Sequence, residues 1–406
     1  MLKHMWKKQN LFLRIAVGFL AGIAMGFLCP DFSKKANFVG TIYLNLIRMM
    51  IVPVIFFSVS TGIMNLKDTK TLRRIGFKTI GLFVVMFLFS SVVSLLVAYL
   101  IRPGRGIVMG EMLAYEGELV SPSMADFFVN IVPSNIIEAM AKGNILSVIL
   151  FSALFSVAVL SIKEKGKPVF DFVHSCSAVF FKMLDFVMET SPLGVASLMA
   201  FSIAQYGAGV FTALGKYIFT AYTASLAVFF VVMFIPTLIY TKIPPKLFLR
   251  GLFKIWMVTL STTSSQAALP MSLKVSREEF KAGEEVSSFV LPLGCTINMC
   301  GGACSFCCLA VFVSDFYNVP LSLTQIVYLV IVATLINMGA PGIPGGGIVL
   351  GASFLSIIGL PIDLMGPIAA FYRLLDMAFT SMNVTGDIAA NLIIAKTEGK
   401  LYPVSS

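Results

Sequence analysis

The sequence predicts an all-α polytopic membrane protein, and three observations carry that prediction. The 406 residues are 58% apolar and only 12% charged, with a mean hydropathy of +0.92, whereas a soluble domain has about 45–50% apolar and about 25% charged residues. Eight stretches approach or exceed the roughly 20 residues a spanning helix needs. The basic residues fall into separate groups between these stretches, in the alternation expected of cytoplasmic loops.

Taken in order, the first span is Leu11–Cys29, preceded by Lys3, Lys7 and Lys8. It lacks a small-residue cleavage site and is expected to be retained. Phe38–Met64 and Gly76–Ile101 follow, separated by Lys67, Lys70, Arg73 and Arg74. Asn144–Ile162 leads into Lys163, Lys165 and Lys167, then Val169–Met188. Tyr217–Tyr240 precedes Lys242, Lys246, Arg250 and Lys254, and Phe289–Val313 and Gly366–Ala395 complete the set. The segment "GEMLAYEGELVSPSMADFF" after the third span is acidic. This alternation places both termini in the cytoplasm of a multi-pass protein of the plasma or inner membrane.

Composition also removes alternatives. The formal net charge is +10, but it is scattered, so no nucleic-acid surface is expected. Cys300, Cys304, Cys307 and Cys308 share one helical face inside an apolar span, where thiols act as small hydrophobes. With two histidines in the chain, no Ser–His–Asp or histidine–metal constellation can be assembled. No phosphate-cradling glycine loop follows a strand. An enzyme is not expected.

Two regions are too apolar for loops and too broken for plain spans. Leu249–Lys274 carries "LSTTSSQAALP", and Leu321–Leu360 carries "NMGAPGIPGGGIVLG". Non-helical backbone at membrane depth must be buried in protein or line a watery cavity. Paired interruptions of this kind point to a transporter's binding site. A third break, "LPLGCTINMCGG" at Leu291–Gly302, would free carbonyls for a hard cation. Finally, "DMAFTSMNVTGD" spaces Asp376, Thr380, Asn383 and Asp387 by 4, 3 and 4 residues along one helical stripe. A charge at the centre of a span costs about 2.5–3.5 kcal/mol on insertion scales, so such a stripe needs cations or ammonium groups opposite it.

In their order and spacing, "TSSQAALP", "LPLGCTINM", "GIPGGG" and "MNVTGD" resemble the dicarboxylate/amino acid:cation symporters, which include glutamate and neutral amino acid transporters. "LIRMMIVPVIFFSV" and "TSPLGVASLMA" extend the likeness over nearly the whole chain. The resemblance implies a homotrimer of chains with eight transmembrane helices and two re-entrant helical hairpins. It implies scaffold helices in 1–75, a transport-domain helix in 76–101, both kinds in 102–248, and the transport-domain core in 249–406. It implies secondary active transport by an elevator-type, alternating-access motion. Carried over by position, Asp387, Asn383, Asn298 and Gly294 match one Na⁺ site, and Thr296, Met299, Met338 and Ala340 a second. Asp376 matches the group that binds a substrate amine. Asn383 with Ser264 and Ser265 matches the α-carboxylate site, with Thr380 alongside, and Ile343 and Gly347 lie in the closing tip.

The departures shape the substrate expectation. Phe379 stands where glutamate carriers place an arginine, and Gly302 where they place a threonine; Arg373 lies in the same helix at a non-matching position. A neutral residue replaces neither an arginine's charge nor its fork. The sequence therefore favours Na⁺-driven uptake of a neutral L-amino acid; the alternative is an acidic amino acid or dicarboxylate carrier, driven by Na⁺ or H⁺, in which Arg373 takes over the lost charge. At the family's third Na⁺ site stand Phe83, Met86, Phe87 and Cys300, sulfur and hydrocarbon in place of oxygen, so two Na⁺ sites are expected.

Overall fold

In a computed structural model of the protein, residues 11–64, 70–105, 129, 131–207, 209–338 and 345–403 are described. Among them the chain is helical throughout, and the one extended pairing is an isolated bridge between Ala282 and Leu401. The helices are α1 (Leu11–Leu28), α2 (Pro30–Lys35), α3 (Asn37–Met64), α4 (Lys70–Ile101), α5 (Ile136–Ala141) and α6 (Ile145–Ser161). There follow α7 (Lys167–Glu189), α8 (Ser191–Tyr206) and α9 (Gly209–Val228), which runs through a π-helical turn at Phe229–Phe234 into α10 (Ile235–Thr241). The C-terminal part comprises α11 (Pro245–Thr262), α12 (Ser265–Glu278), α13 (Glu284–Ile297), α14 (Cys300–Phe316), α15 (Leu323–Met338), α16 (Gly346–Ile357) and α17 (Met365–Thr397).

Arg74–Ile101, Leu214–Thr241 and Glu284–Phe316 are each long and apolar enough to cross a bilayer. Lys163–Val187 with Ser191–Gln205 makes a fourth such stretch, bent by 50°. Helix α17 has the length, 33 residues, but carries a polar stripe; most of its side chains, Asp376, Asn383 and Asp387 included, are buried in protein. A helix surrounded by other helices need not match lipid, so its polarity is a mark of its position.

The helix α8 corrects the sequence reading, which ended the fifth span at Met188 and assigned no helix after it. Thr190 and Pro192 start α8, proline being tolerated in a first helical turn. Its partner is α1, whose Gly18, Gly22 and Gly26 lie on the α8 backbone at Pro192, Ala196 and Ala200. A methyl group on Gly22 would sit 2.4 Å from the Ala196 carbonyl. Small residues four apart let two helices approach this closely in a membrane, and that Gly-x-x-x-Gly-x-x-x-Gly run was the available signal.

Contacts divide the helices into two groups. Helices α1, α2, α3, α6, α7 and α8 pack mainly on one another, and α4 packs with α9 through α17. The groups meet chiefly where α8 touches α17 and α3 touches α13. Ion pairs tie each group internally: Arg14 of α1 to Glu189 of α7 at 2.7 Å, and Arg102 beyond α4 to Asp315 of α14 at 2.8 Å. At the other end of α4, Arg74 and Lys78 hold Glu398 at 2.5 and 2.6 Å. The Lys78 hydrogen bond, reinforced by Arg74, keeps the Glu398 carboxyl below the ordinary carboxylate range. A depressed carboxyl stabilises the fold above its unfolded-state value and loses that contribution as pH falls through the lower, folded-state value. Glu398→Gln is accordingly expected to flatten the acid-side fall of the thermal midpoint, measured from roughly pH 7 to pH 3; identical profiles for the two proteins would refute this role.

Candidate functional site

Helices α13 and α14 are one span interrupted for two residues. Glu284 and Glu285 favour the start of α13, and Asn298, at φ −96° and ψ 84°, leaves helical geometry. Met299 then restarts the helix as the cap of α14 without a side-chain capping bond. The cap comes from another helix instead: Asn383 Oδ1 of α17 accepts from the Gly301 amide at 2.7 Å. A buried first-turn amide with no partner in its own helix is thereby satisfied, which links the break to α17. Sequence reasoning had assigned Asn383 to ligands and missed this structural bond.

Asp387 lies against the break and is 1% exposed. Its Oδ1 accepts from Asn298 Nδ2 at 2.9 Å. The Cys295 thiol is also near the carboxylate, but it donates to the Ser265 carbonyl at 3.4 Å, and Asp387 Oδ2 has no hydrogen-bond partner. A buried carboxylate oxygen left in that state is costly unless a positive charge completes it. Oxygen donors beside it suit a hard cation such as Na⁺. The approach depends on Gly294, where an added Cβ would fall 2.3 Å from Asp387 Oδ1. Gly294→Ala should push the carboxylate out of place and weaken cation dependence at least about tenfold, the equivalent of 1.4 kcal/mol; an unchanged cation titration of uptake would contradict this.

The residues at the expected third cation position are all buried: Phe83 and Phe87 at 0%, Met86 at 3% and Cys300 at 0% exposed. The Cys300 thiol donates to Asn298 Oδ1 at 2.8 Å. Met86 and Met233, from the π-helical turn, bring their methyl groups to the Gly386 backbone beside Asn298. Both ends of the Asn298 amide are therefore engaged within the protein.

Asp376 lies eleven residues before Asp387, about 16 Å along the helix. It is 7% exposed and accepts from the Gly345 amide at 3.1 Å and the Thr380 hydroxyl at 3.2 Å. Gly345, at φ +79°, caps α16 in a left-handed conformation that glycine adopts without strain. Asp376 borders a cavity of about 20 Å³, whose lining includes Arg373, Tyr372, Gly345 and Ile348, with Tyr43 of α3 and Ser191 of α8. That is about the volume one water needs, so a solute must widen it.

The other sequence-predicted residues divide. Ser264 caps α12 by accepting from the Ala267 amide at 3.3 Å, and the buried Ser265 hydroxyl has no partner. The Thr296 hydroxyl donates to the Leu293 carbonyl at 2.9 Å and faces Gly62 of α3. Met299 is buried at the break, and Met338 ends α15. Gly347 lies against the Tyr372 hydroxyl. Ala340 and Ile343 lie outside the described residues. Phe379 and Gly302, the two positions behind the neutral-substrate expectation, do not bound the cavity. The Phe379 ring is fully buried and its carbonyl abuts Gly301, while the room beside Gly302 holds Asn337 Oδ1. Arg373, by contrast, bounds the cavity and donates to the Thr263 hydroxyl and, at 3.0 Å, to the Ser261 carbonyl.

The profile of the sodium:dicarboxylate symporter family matches residues 11–397. The chain is 31% identical over 412 residues to a proton/sodium-glutamate symport protein of Geobacillus stearothermophilus, covering 97% of this chain and 96% of that one. It is also 31% identical over 401 residues to a C4-dicarboxylate transport protein of Agrobacterium fabrum, covering 97% and 89%. A match of this length and identity, on an all-helical chain with apolar spans, places the chain in the sodium:dicarboxylate symporter family: it is a multi-pass membrane transporter of a small molecule, and not an enzyme.

Proposed function

We propose that the protein is a secondary active symporter coupling inward Na⁺ flow to uptake of a small solute with two carboxylates, an acidic amino acid or a C4-dicarboxylate. One observation carries this reading: Arg373 and Asp376 are the only charged side chains bounding the cavity among the described residues. The arginine supplies a fork for a carboxylate and the aspartate a partner for an amine, which suits an acidic amino acid; a C4-dicarboxylate has no amine and rests on the relatives' names. The relatives' names support the same choice. It replaces the neutral amino acid that Phe379 and Gly302 suggested, since neither side of that argument reaches the cavity. Asp387, Asn298, Asn383 and the Gly294 carbonyl form the proposed first Na⁺ site. Thr296, Met299, Met338 and Ala340 form the second. The sulfur and hydrocarbon at Phe83, Met86, Phe87 and Cys300 support a stoichiometry of two. Ser264, Ser265, Thr380 and Asn383 are assigned to the solute's other groups, with Ile343 and Gly347 in the tip that closes over it. The two helix groups suit a static scaffold and a mobile transport unit with α11–α12 and α15–α16 as re-entrant hairpins, assembled as a homotrimer.

The test is uptake into liposomes under an imposed Na⁺ gradient. Labelled aspartate, glutamate or succinate should accumulate and compete with one another, and alanine and serine should not displace them. Accumulation of alanine with no competition by any of those three would reverse the choice. Uptake driven by a proton gradient without Na⁺ would reassign the ion, and a measured ratio of three Na⁺ would overturn the two-site reading.

A further inference from the structure

Arg373 touches two parts of the protein at once. Its terminal nitrogens donate to the Thr263 hydroxyl and the Ser261 carbonyl, the turn that joins α11 to α12. Its Nε is buried and has no hydrogen-bond partner. A guanidinium carries five N–H donors; two are committed to Thr263 and Ser261, which leaves three, that of Nε among them. Those remaining donors can hold a carboxylate without releasing the turn.

The turn itself is held in an uncommon shape. Thr263 has φ 49° and ψ 39°, a left-handed conformation that is a genuine outlier for a β-branched residue. Such conformations persist where the surroundings over-determine them, and they cluster at clamps and switches. Here the surroundings include the Thr263 amide bond to the Thr259 carbonyl at 2.7 Å and the two Arg373 donors. Arg373 is anchored on α17, the buried helix that also carries Asp376 and Asp387.

We propose that Arg373 makes the first hairpin's closure depend on the solute's charge: one guanidinium holds Ser261 and Thr263 with two of its donors and the solute's distal carboxylate with Nε and the donors that remain. This rests on the two-carboxylate reading above. A bound carboxylate fixes the guanidinium plane, and the fixed plane holds the turn. A solute lacking that carboxylate leaves the turn looser even where Asp376 binds its amine. Arg373 is thereby a specificity residue for the solute and a positioning residue for the turn.

The test reads the turn directly. Ala267 is exposed in the first turn of α12, so Ala267→Cys, with Cys29→Ser and Cys176→Ser removing the two thiols outside the interior, reports the tip of the full-length protein in detergent. Maleimide labelling should slow at least about threefold, which corresponds to about 0.6 kcal/mol, when aspartate or succinate saturates the protein in Na⁺. With Thr263→Val added, labelling should be fast and insensitive to solute, while a titration of the same sample still shows solute binding. With Arg373→Lys, which keeps the charge but not the fork, binding should weaken and protection should disappear. Saturable binding of aspartate or succinate with an unchanged labelling rate would overturn the proposed coupling and leave the substrate reading intact. No binding of either solute would remove both.

Discussion

Asp387→Asn will leave the protein assembled but unable to accumulate solute on a Na⁺ gradient. The substitution preserves the shape beside Gly294 and a partner for Asn298, and deletes the negative charge at the one carboxylate oxygen that lacks a partner. At an effective dielectric near 20, a unit charge pair 4 Å apart is worth about 4 kcal/mol. Cation affinity should fall roughly 10³-fold. Stabilisation of the purified protein by Na⁺, with choline as the control, should vanish together with uptake. Asp387→Glu should not rescue it, because the extra methylene has no room where Gly294 already touches the carboxylate. Unaltered Na⁺ stabilisation in Asp387→Asn would show that the cation binds elsewhere.

Arg373→Gln is expected to abolish uptake of solutes with two carboxylates more completely than any neutral substitution elsewhere in the cavity wall. Removing one partner of a buried, hydrogen-bonded charge pair costs about 2–5 kcal/mol, so affinity for them should drop roughly 30-fold to several thousandfold. Competition by neutral amino acids should then emerge, because Asp376 remains for an amine. Phe379→Arg should not substitute for it: the Phe379 ring is enclosed between α17 and its neighbours and does not border the cavity, so a charge there would be buried without a partner and would destabilise the protein. If Arg373→Gln retained transport of these solutes while Phe379→Arg enhanced it, the pocket would lie on the other face of the helix.

The sequence carried the helical class, the three long apolar spans and the buried polar stripe, each because its signal is local. Apolar length marks a span, and spacings of 4, 3 and 4 set Asp376, Thr380, Asn383 and Asp387 on one side of α17. The interruption at Asn298–Met299 was visible in the same way, through "TINMCGG". Helix α8 was not: no span was assigned to it, and its burial depends on the glycine face of α1, nearly 180 residues earlier. Arg373 was legible only as the alternative's replacement charge; its hold on Ser261 and Thr263 was not, since those partners lie 112 and 110 residues away.

What the sequence by itself determined is that this chain lives in a bilayer and keeps two carboxylates inside it, because hydropathy and helical period need no knowledge of the fold. Only the tertiary structure decided which groups meet those carboxylates. It turned Phe379 and Gly302 into packing, engaged both ends of Asn298, and brought Arg373 beside Asp376. Contacts between helices follow from which faces pack, and that choice minimises buried unpaired polarity over the whole bundle at once, so no single window of the sequence contains it.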